Sequence, residues 1–187
     1  MSGALVMEHR RMLSELCGAD GFAKVLAHLS ADEREAYLAA DPLVWFPVEI
    51  AERVFDLAGR QLGRDPVELH EAISRQGVER TLTKLWRFVL RFIPDETLIP
   101  RSERLYSRAF QKGKLDARIV RPGHVEIQVE GWPDMPEFSV RGLRIAIETV
   151  LKLAGREEVR LTMHRSPVGP RIVATWQAEK AARDRPG

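Results

Sequence analysis

Residues 114–131 read KLDARIVRPGHVEIQVEG, and the hydrophobic periodicity of the chain changes within this stretch. Apolar residues occupy every second position on both sides of Pro122-Gly123: Leu115, Ala117, Ile119, Val125, Ile127 and Val129. A period of two is typical of a β-strand with one buried face, and a Pro-Gly pair marks a turn. The stretch therefore predicts a β-hairpin.

The sequence after the hairpin predicts one helix and two further strands. Apolar residues at helical spacing begin at about Ser139, and Gly155 is placed to end that helix. Alternating apolar residues then return on either side of a turn at 167–170: Val159, Leu161, Met163, Ile172, Ala174 and Trp176. The C-terminal part of the chain thus has the order β-β-α-β-β.

Before Leu115 the hydrophobic spacing is that of helices. Gly18 is placed to end the first helix, and Ser30 with Glu33 forms the pattern of a capping box. The most regular apolar stripe predicts a helix over 78–92. Four short antiparallel strands with one crossing helix cannot cover both faces of their own sheet. We therefore predict an α/β protein of the α+β type, with N-terminal helices packed on a four-stranded antiparallel sheet.

Length and composition fit one domain over residues 1–177, followed by a polar tail at 178–187. Of the 187 residues, 44% are hydrophobic and 30% are charged, which is the balance of a globular chain. No apolar run is long enough for a membrane span, and the N-terminus has no secretory pattern. The single cysteine, Cys17, favours a reducing compartment, so a cytoplasmic location is expected. A net charge of +2 gives no reason to expect nucleic-acid binding.

No pattern in the sequence indicates a catalytic or metal centre. The five histidines lack the spacing of a metal site: His9, His28, His70, His124 and His164. His70 is the one candidate for a haem ligand, and a hydrogen-bonded core histidine is the competing interpretation. The carboxylates near the hairpin end are interpreted as a solvated edge: Glu126, Glu130, Asp134 and Glu137. We therefore expect no enzyme activity, no metal and no cofactor.

Four cations follow one side of the predicted 78–92 helix: Arg80, Lys84, Arg87 and Arg91. Their spacing of four, seven and eleven residues from the first is that of a single helical face. One interpretation is a solvated face opposite the apolar stripe. The other is a docking strip for a protein partner with an acidic surface.

Three aromatic residues lie in predicted loops beside prolines and are candidates for partner binding: Trp45, Phe46 and Trp132. Aromatic side chains are enriched at the energetic centres of protein interfaces. The alternative is that they pack against the rim of the domain itself.

The C-terminal part also resembles a known superfamily. The resemblance is carried by LYSRAFQKGKL at residues 105–115, by Pro122-Gly123, and by Val168-Gly169-Pro170 leading to Trp176. A helix ending in an aromatic and a glycine, a hairpin, an amphipathic helix and a strand pair ending in Trp resemble 4-vinyl-reductase-like and haem-NO-binding-like domains. TRAPP vesicle-tethering subunits share that fold. The chain is also similar, over about residues 10–177, to a myxobacterial family of this plan.

The resemblance implies a ligand-binding or interaction scaffold. Members of the superfamily hold a haem, an acyl chain or another apolar molecule between helices and sheet, or pair with other subunits. Relatives of the 4-vinyl-reductase type have zinc-binding cysteines near the last strand pair, and residues 161–176 of this chain contain none. The corresponding space here is predicted to be lined, and mostly filled, by these residues: Leu82, Leu85, Trp86, Val89, Val125, Ile127, Leu143 and Ile147.

These observations predict a non-enzymatic regulatory or protein-interaction domain that forms a homodimer. The lack of catalytic patterns, the aromatic residues in loops and the resemblance support it. The alternative is a sensor that binds a small apolar ligand between helices and sheet.

Overall fold

The computed structural model describes residues 1–82 and 90–177. The helices within these ranges are α1 (Gly3–Ala27), α2 (Ala31–Leu38), α3 (Val48–Leu62), α4 (Pro66–Thr81), α5 (Asp95–Leu98), α6 (Arg101–Ala109) and α7 (Glu137–Leu153). Among the helices described, none has the length and apolar character needed to cross a membrane.

Four strands form one antiparallel sheet, as the change of hydrophobic period predicts. They are β1 (Lys114–Arg121), β2 (His124–Glu130), β3 (Glu157–Ser166) and β4 (Gly169–Gln177). Their order in the sheet is β1-β2-β4-β3, so α7 carries the chain from an inner strand to the far edge. The predicted β-β-α-β-β order and the α+β class are confirmed.

One hydrophobic core lies between the sheet and the elements that cover it. The alternating residues of the central strands point into this core, where Val125, Ile127 and Ile172 are almost completely buried. Helix α7 contributes Val140 and Leu151 from the other side. We call the sheet, α5, α6 and this core the sheet layer.

A second hydrophobic core lies among α1, α2, α3 and α4, which we call the helical layer. Its most buried members include Leu13, Val54 and Leu69. Helix α7 lies between the two layers because it contacts α4 on one side and β3 on the other. The helical layer therefore packs on the sheet layer chiefly through α7.

Local sequence signals set several helix ends. Gly18 has the non-helical angles φ 68° and ψ 169° and kinks α1 at the predicted position. The Ser30 hydroxyl accepts from the Glu33 amide at 3.2 Å, and the Glu33 carboxylate accepts from the Ser30 amide at 3.0 Å. Asp65 caps α4 by accepting from the amides of Val67 and Glu68. The capping box is therefore confirmed.

The predicted start of a helix at residue 78 is wrong. Val78 belongs to α4, which passes through Gly77 without a break and ends at Thr81. The backbone of the next residue, Leu82, is extended at φ −88° and ψ 93°. A glycine inside a helix costs only about 1 kcal/mol, and the burial of Leu69 and Ile73 offsets that cost. Residues 83–89, the centre of the predicted helix, lie outside the described residues.

Candidate functional site

Four aromatic rings meet where the helical layer packs on α7. They come from four different helices: His9 from α1, Phe55 from α3, His70 from α4 and Phe138 from α7. The His70 ring stacks on Phe138 with the centroids 3.6 Å apart. Phe55 meets the edges of both histidines, at 5.3 Å from His9 and 4.9 Å from His70. This ring cluster joins the helical layer to α7.

Both histidines of the ring cluster are buried and uncharged at neutral pH. Burial lowers the pKa of His9 to about 4, partly opposed by the charge of Glu8. Burial, with a smaller contribution from His9, lowers the pKa of His70 to about 3. The Nε2 of His70 lies 3.2 Å from the Ser74 hydroxyl, whereas Nδ1 of His9 is buried and has no hydrogen-bond partner among the described residues. The cluster therefore contains two neutral imidazoles whose protonation would be costly.

Gly142 allows α7 to approach the His70 ring closely. A Cβ atom at this position would lie 2.8 Å from Cε1 of His70 and 3.3 Å from Nε2. The ring is held by Phe55 and Phe138 and cannot turn away without disturbing them. The absence of a side chain at Gly142 is therefore a condition for the contact between α4 and α7.

A cleft of about 90 Å³ opens beside the ring cluster, between α3, α4 and α7. Its lining residues are Glu52, Phe55, Asp56, Pro66, Val67, His70, Glu137, Phe138 and Arg141. Rings and apolar atoms form the deeper wall, and charged side chains surround it. Arg141 donates to Glu137 at 2.9 Å, and Arg165 also pairs with Glu137 at 3.0 Å.

A second cavity of about 360 Å³ lies on the open face of the sheet. It is lined by Asp116, Arg118, Glu126, Ile127, Gln128 and Arg171. Glu126 lies between two cations, at 2.8 Å from Arg171 and 3.6 Å from Arg118. Because Glu126 already pairs with both of its arginines, this shallow polar surface is a weaker candidate for a ligand site.

The predicted basic strip is only partly described. Arg80 pairs with Glu15 of α1 at 3.3 Å, which ties α4 to the neighbouring helix. The side chain of Arg91 lies against Gly155, at the end of α7. Lys84 and Arg87 lie outside the described residues. The docking strip therefore stays a prediction, and Arg80 has a structural contact of its own.

Replacing Arg80 with Glu tests whether this contact matters for stability. The change places two carboxylates together, but both side chains are partly exposed. We expect the free energy of unfolding to fall by about 1 kcal/mol or less, measured by urea denaturation. The variant Glu15→Arg with Arg80→Glu should recover only part of that loss, because it also breaks the 2.9 Å pair of Glu15 with Arg11. A loss several times larger would show that Arg80 packs inside the fold.

The three candidate aromatic residues occupy different environments. Trp45 is 42% exposed and stays available for a partner. Phe46 is 6% exposed and packs on Tyr37 in the helical layer. Trp132 is 7% exposed, packs against Phe110, and has the Lys112 amine 5.5 Å from its ring centre. For Phe46 and Trp132 the alternative of packing within the domain is correct, because both are needed to fill its cores.

The predicted pocket residues gather in the sheet layer. Val125, Ile127 and Leu143 are buried in its core, and Ile147 and Leu82 pack against them. Their apolar side chains fill the core of the sheet layer beneath α7. Leu85, Trp86 and Val89 lie outside the described residues, so their part of the pocket stays a prediction.

Sequence reasoning missed most of the ring cluster and cleft. Phe55 follows a core valine directly and falls between the expected apolar positions, and Phe138 precedes the predicted start of α7 by one residue. In the structure α7 begins at Glu137, so Phe138 lies within its first turn. The carboxylates Glu52 and Asp56 have no local signal, because they become neighbours of α7 only in the folded chain.

Comparison with known proteins gives a fold and no family. No protein-family model matches the sequence, and no curated protein matches it. Several solved structures are similar over nearly the whole chain. An Fe(II) unliganded H-NOX protein from K. algicida has a TM-score of 0.70 at 6% identity, covering 96% of this chain and 98% of its own.

Two further structures show the same similarity. A mutant of the H-NOX protein of T. tengcongensis has a TM-score of 0.67 at 15% identity, covering 95% of this chain and 98% of its own. An oxygen-binding H-NOX domain related to soluble guanylate cyclases has a TM-score of 0.66 at 16% identity and covers 95% of both chains. Such identities show a shared fold alone. The haem-NO-binding part of the predicted resemblance is confirmed for the fold, and the 4-vinyl-reductase and TRAPP parts stay predictions.

The described residues do not fit a haem. A porphyrin needs a flat apolar slot and an axial ligand that points into it. His9 is enclosed by other rings, and the Nε2 edge of His70 faces Ser74 and Gly142. His124 lines neither of the two cavities, and the cleft beside His70 is far below the roughly 300–1,000 Å³ that is typical for drug-sized ligands.

Residues 1–82 and 90–177 also contain no group of three metal-binding side chains. The K. algicida protein contains Fe(II), which conflicts with the expectation that this chain holds no metal. For this chain the expectation stays a prediction.

Proposed function

We propose that this chain is a non-enzymatic sensor domain that binds a small molecule between the helical layer and α7. The observation that carries the proposal is the ring cluster with its adjacent cleft, at the contact that joins the two layers. Similarity to H-NOX domains, one of which is an oxygen-binding domain, supports a sensor role over a purely structural one. The sensor alternative of the sequence analysis is thus preferred to the interaction module.

The position of the cleft suggests how binding would be signalled. Its walls come from α3 and α4 on one side and from α7 on the other. A ligand that contacts both sides favours the packed arrangement of the layers over any looser one, in proportion to its differential affinity. Because α7 also packs on β3, a change at the cleft reaches the sheet directly.

The proposal does not include a haem. The four rings are packed against one another, and the cleft has room for roughly six non-hydrogen atoms if about 15 Å³ holds one water. A ligand of that size is a small organic molecule. The proposed chemistry is binding alone, because the described part of the cleft has no nucleophile beside a base.

A thermal-shift screen tests the sensor function. The screen uses a panel of small organic compounds. A compound that binds should stabilise the folded chain by about 2.7 kcal/mol once its concentration is about 100 times its Kd. For a chain of this size that gain corresponds to roughly 5–10 °C in Tm. Hemin should give no stoichiometric Soret band. A panel without any stabilising compound, or a saturable Soret band, would contradict the proposal.

A homodimeric interaction module is the second candidate. It is favoured by a cluster of exposed apolar side chains between α2 and α3, where Leu43 is 93% exposed and Val44 and Trp45 are also accessible. Exposed patches of this kind often mark contact surfaces. If the thermal-shift screen fails and light scattering gives a dimer that Leu43→Ser with Trp45→Ser disrupts, this candidate replaces the sensor.

A further inference from the structure

The cleft beside the ring cluster combines apolar walls with negative charge. Phe55 and Phe138 form part of its wall, and Glu52 and Asp56 lie one helical turn apart on α3 at its edge. On the opposite side Glu137 is already paired with Arg141 and Arg165. Because Phe55 is only 2% exposed, the cleft offers a ligand chiefly the partly buried Phe138 ring and the two carboxylates.

No compensating cation pairs with Glu52 or Asp56 in the part of the chain that the structure describes. Within the described residues neither carboxylate forms an ion pair, whereas Glu137 forms two. Like charges at this spacing on a helix repel each other. The effect is visible at Glu52, whose pKa is raised by burial and then by the charges of Asp56 and Glu49. A cation placed between Glu52 and Asp56 would remove this repulsion.

The remaining walls tolerate a positive charge. Phe55 is only 2% exposed and Phe138 stacks one face on His70, so the two rings form an apolar wall that carries no positive charge. His70, which also lines the cleft, is neutral at pH 7 because burial lowers its pKa to about 3, so it adds no repulsion. Arg141 is the one cation among the lining residues, and it is engaged by Glu137 and Glu71.

We infer that the cleft binds the ammonium group of a small alkylamine. In this arrangement Glu52 and Asp56 hold the charge, and the alkyl chain lies against Phe138 and Val67. The size of the cleft limits the ligand to roughly six non-hydrogen atoms. The inference rests on the proposed sensor function and names its ligand class.

Amide chemical shifts of the full ¹⁵N-labelled chain, followed by NMR in amine-free phosphate buffer, test the inference. The probes are n-butylammonium, 1-butanol and butanoate, which share a chain length and differ in charge. We expect n-butylammonium to bind about tenfold more tightly than 1-butanol, with shifts at Val67 and Phe138, and butanoate not to bind. Equal affinity for the alcohol and the amine would overturn the inference.

Variants assign the charge recognition to the named carboxylates. Glu52→Gln with Asp56→Asn should weaken n-butylammonium binding about tenfold. The matched control Asp32→Asn with Glu35→Gln, on α2, changes the net charge equally and should leave the affinity unchanged. Arg141→Gln removes the cation of the cleft and should tighten binding about threefold. Loss of affinity in the α2 control, or none in the Glu52 and Asp56 variant, contradicts the assignment.

The outcomes separate this inference from the sensor function. If no amine binds while another compound raises Tm in the thermal-shift screen, the amine assignment falls and the sensor function stands. If neither experiment finds a ligand, both fall. A lysine peptide that binds more tightly than n-butylammonium would assign the cleft to a protein partner and overturn the small-molecule inference.

Discussion

Lowering the pH from 7 to 5 is expected to reduce the free energy of unfolding by about 4 kcal/mol, through His9 and His70. In the folded chain their pKa values are about 4 and about 3, so both rings stay neutral throughout this range. In the unfolded chain an ordinary pKa of about 6.5 means that both rings take up protons between pH 7 and 5. Each histidine then favours unfolding by about 2 kcal/mol.

The free energy of unfolding falls at low pH because folding lowers the pKa of both histidines. A histidine whose pKa is lowered by folding contributes its full stability above the unfolded pKa and loses it as the pH falls towards the folded value. Most carboxylates titrate below pH 5 and contribute little in this window. The acid sensitivity therefore reports on the ring cluster.

Urea denaturation at several pH values measures this effect. His9→Leu should remove about half of the loss, and because Nδ1 of His9 has no partner, that variant should fold well at pH 7. His164→Ala, at an exposed site on β3, is the control and should keep the full pH dependence. An unchanged dependence in His9→Leu would show that His9 is not buried as described.

Gly142→Ala is expected to destabilise the chain by about 2 kcal/mol, although alanine is the better helix former. The new Cβ would lie 2.8 Å from Cε1 of His70, and overpacking of this kind costs about 1–3 kcal/mol. Gly77→Ala, in the middle of α4, is the matched control. Its Cβ would meet only Met12 at 3.5 Å, so we expect a gain of about 0.5–1 kcal/mol.

A double-variant cycle tells whether the loss comes from the His70 ring. In a His70→Ala background the ring is absent, so Gly142→Ala should be neutral or stabilising. Urea denaturation of the wild type, the two single variants and the double variant gives the coupling energy. Additive effects would mean that α7 meets α4 elsewhere and that the ring contact does not set their distance.

The sheet layer could be predicted from the sequence because its signals are local. The alternation of apolar and polar residues that begins at Leu115 and at Val125 predicts the strands, and Pro122-Gly123 predicts the turn. Neither prediction needs information from the rest of the chain. The break in α1 at Gly18 and the start of α2 after Ser30 are predictable for the same reason. The prediction failed at residue 78, where packing of α4 on α7 overrides the small cost of Gly77.

The candidate site could not be predicted in the same way. His9, Phe55, His70 and Phe138 come from four helices and become neighbours only when α7 packs on the helical layer. Periodicity states which face of a helix is buried, but it does not state which helix covers that face. His70 was singled out as a possible haem ligand, and its partners were found only from the packed structure.

The position of Phe138 in the chain has a consequence for biosynthesis. His9, Phe55 and His70 are translated first, and the ring that covers them follows only with α7. At about 5–20 residues per second, the roughly 70 residues between the ends of α4 and α7 take about 4–14 s to synthesise. During that interval the nascent helical layer exposes the surface that α7 later covers, and it is then open to chaperones and to association with other nascent chains.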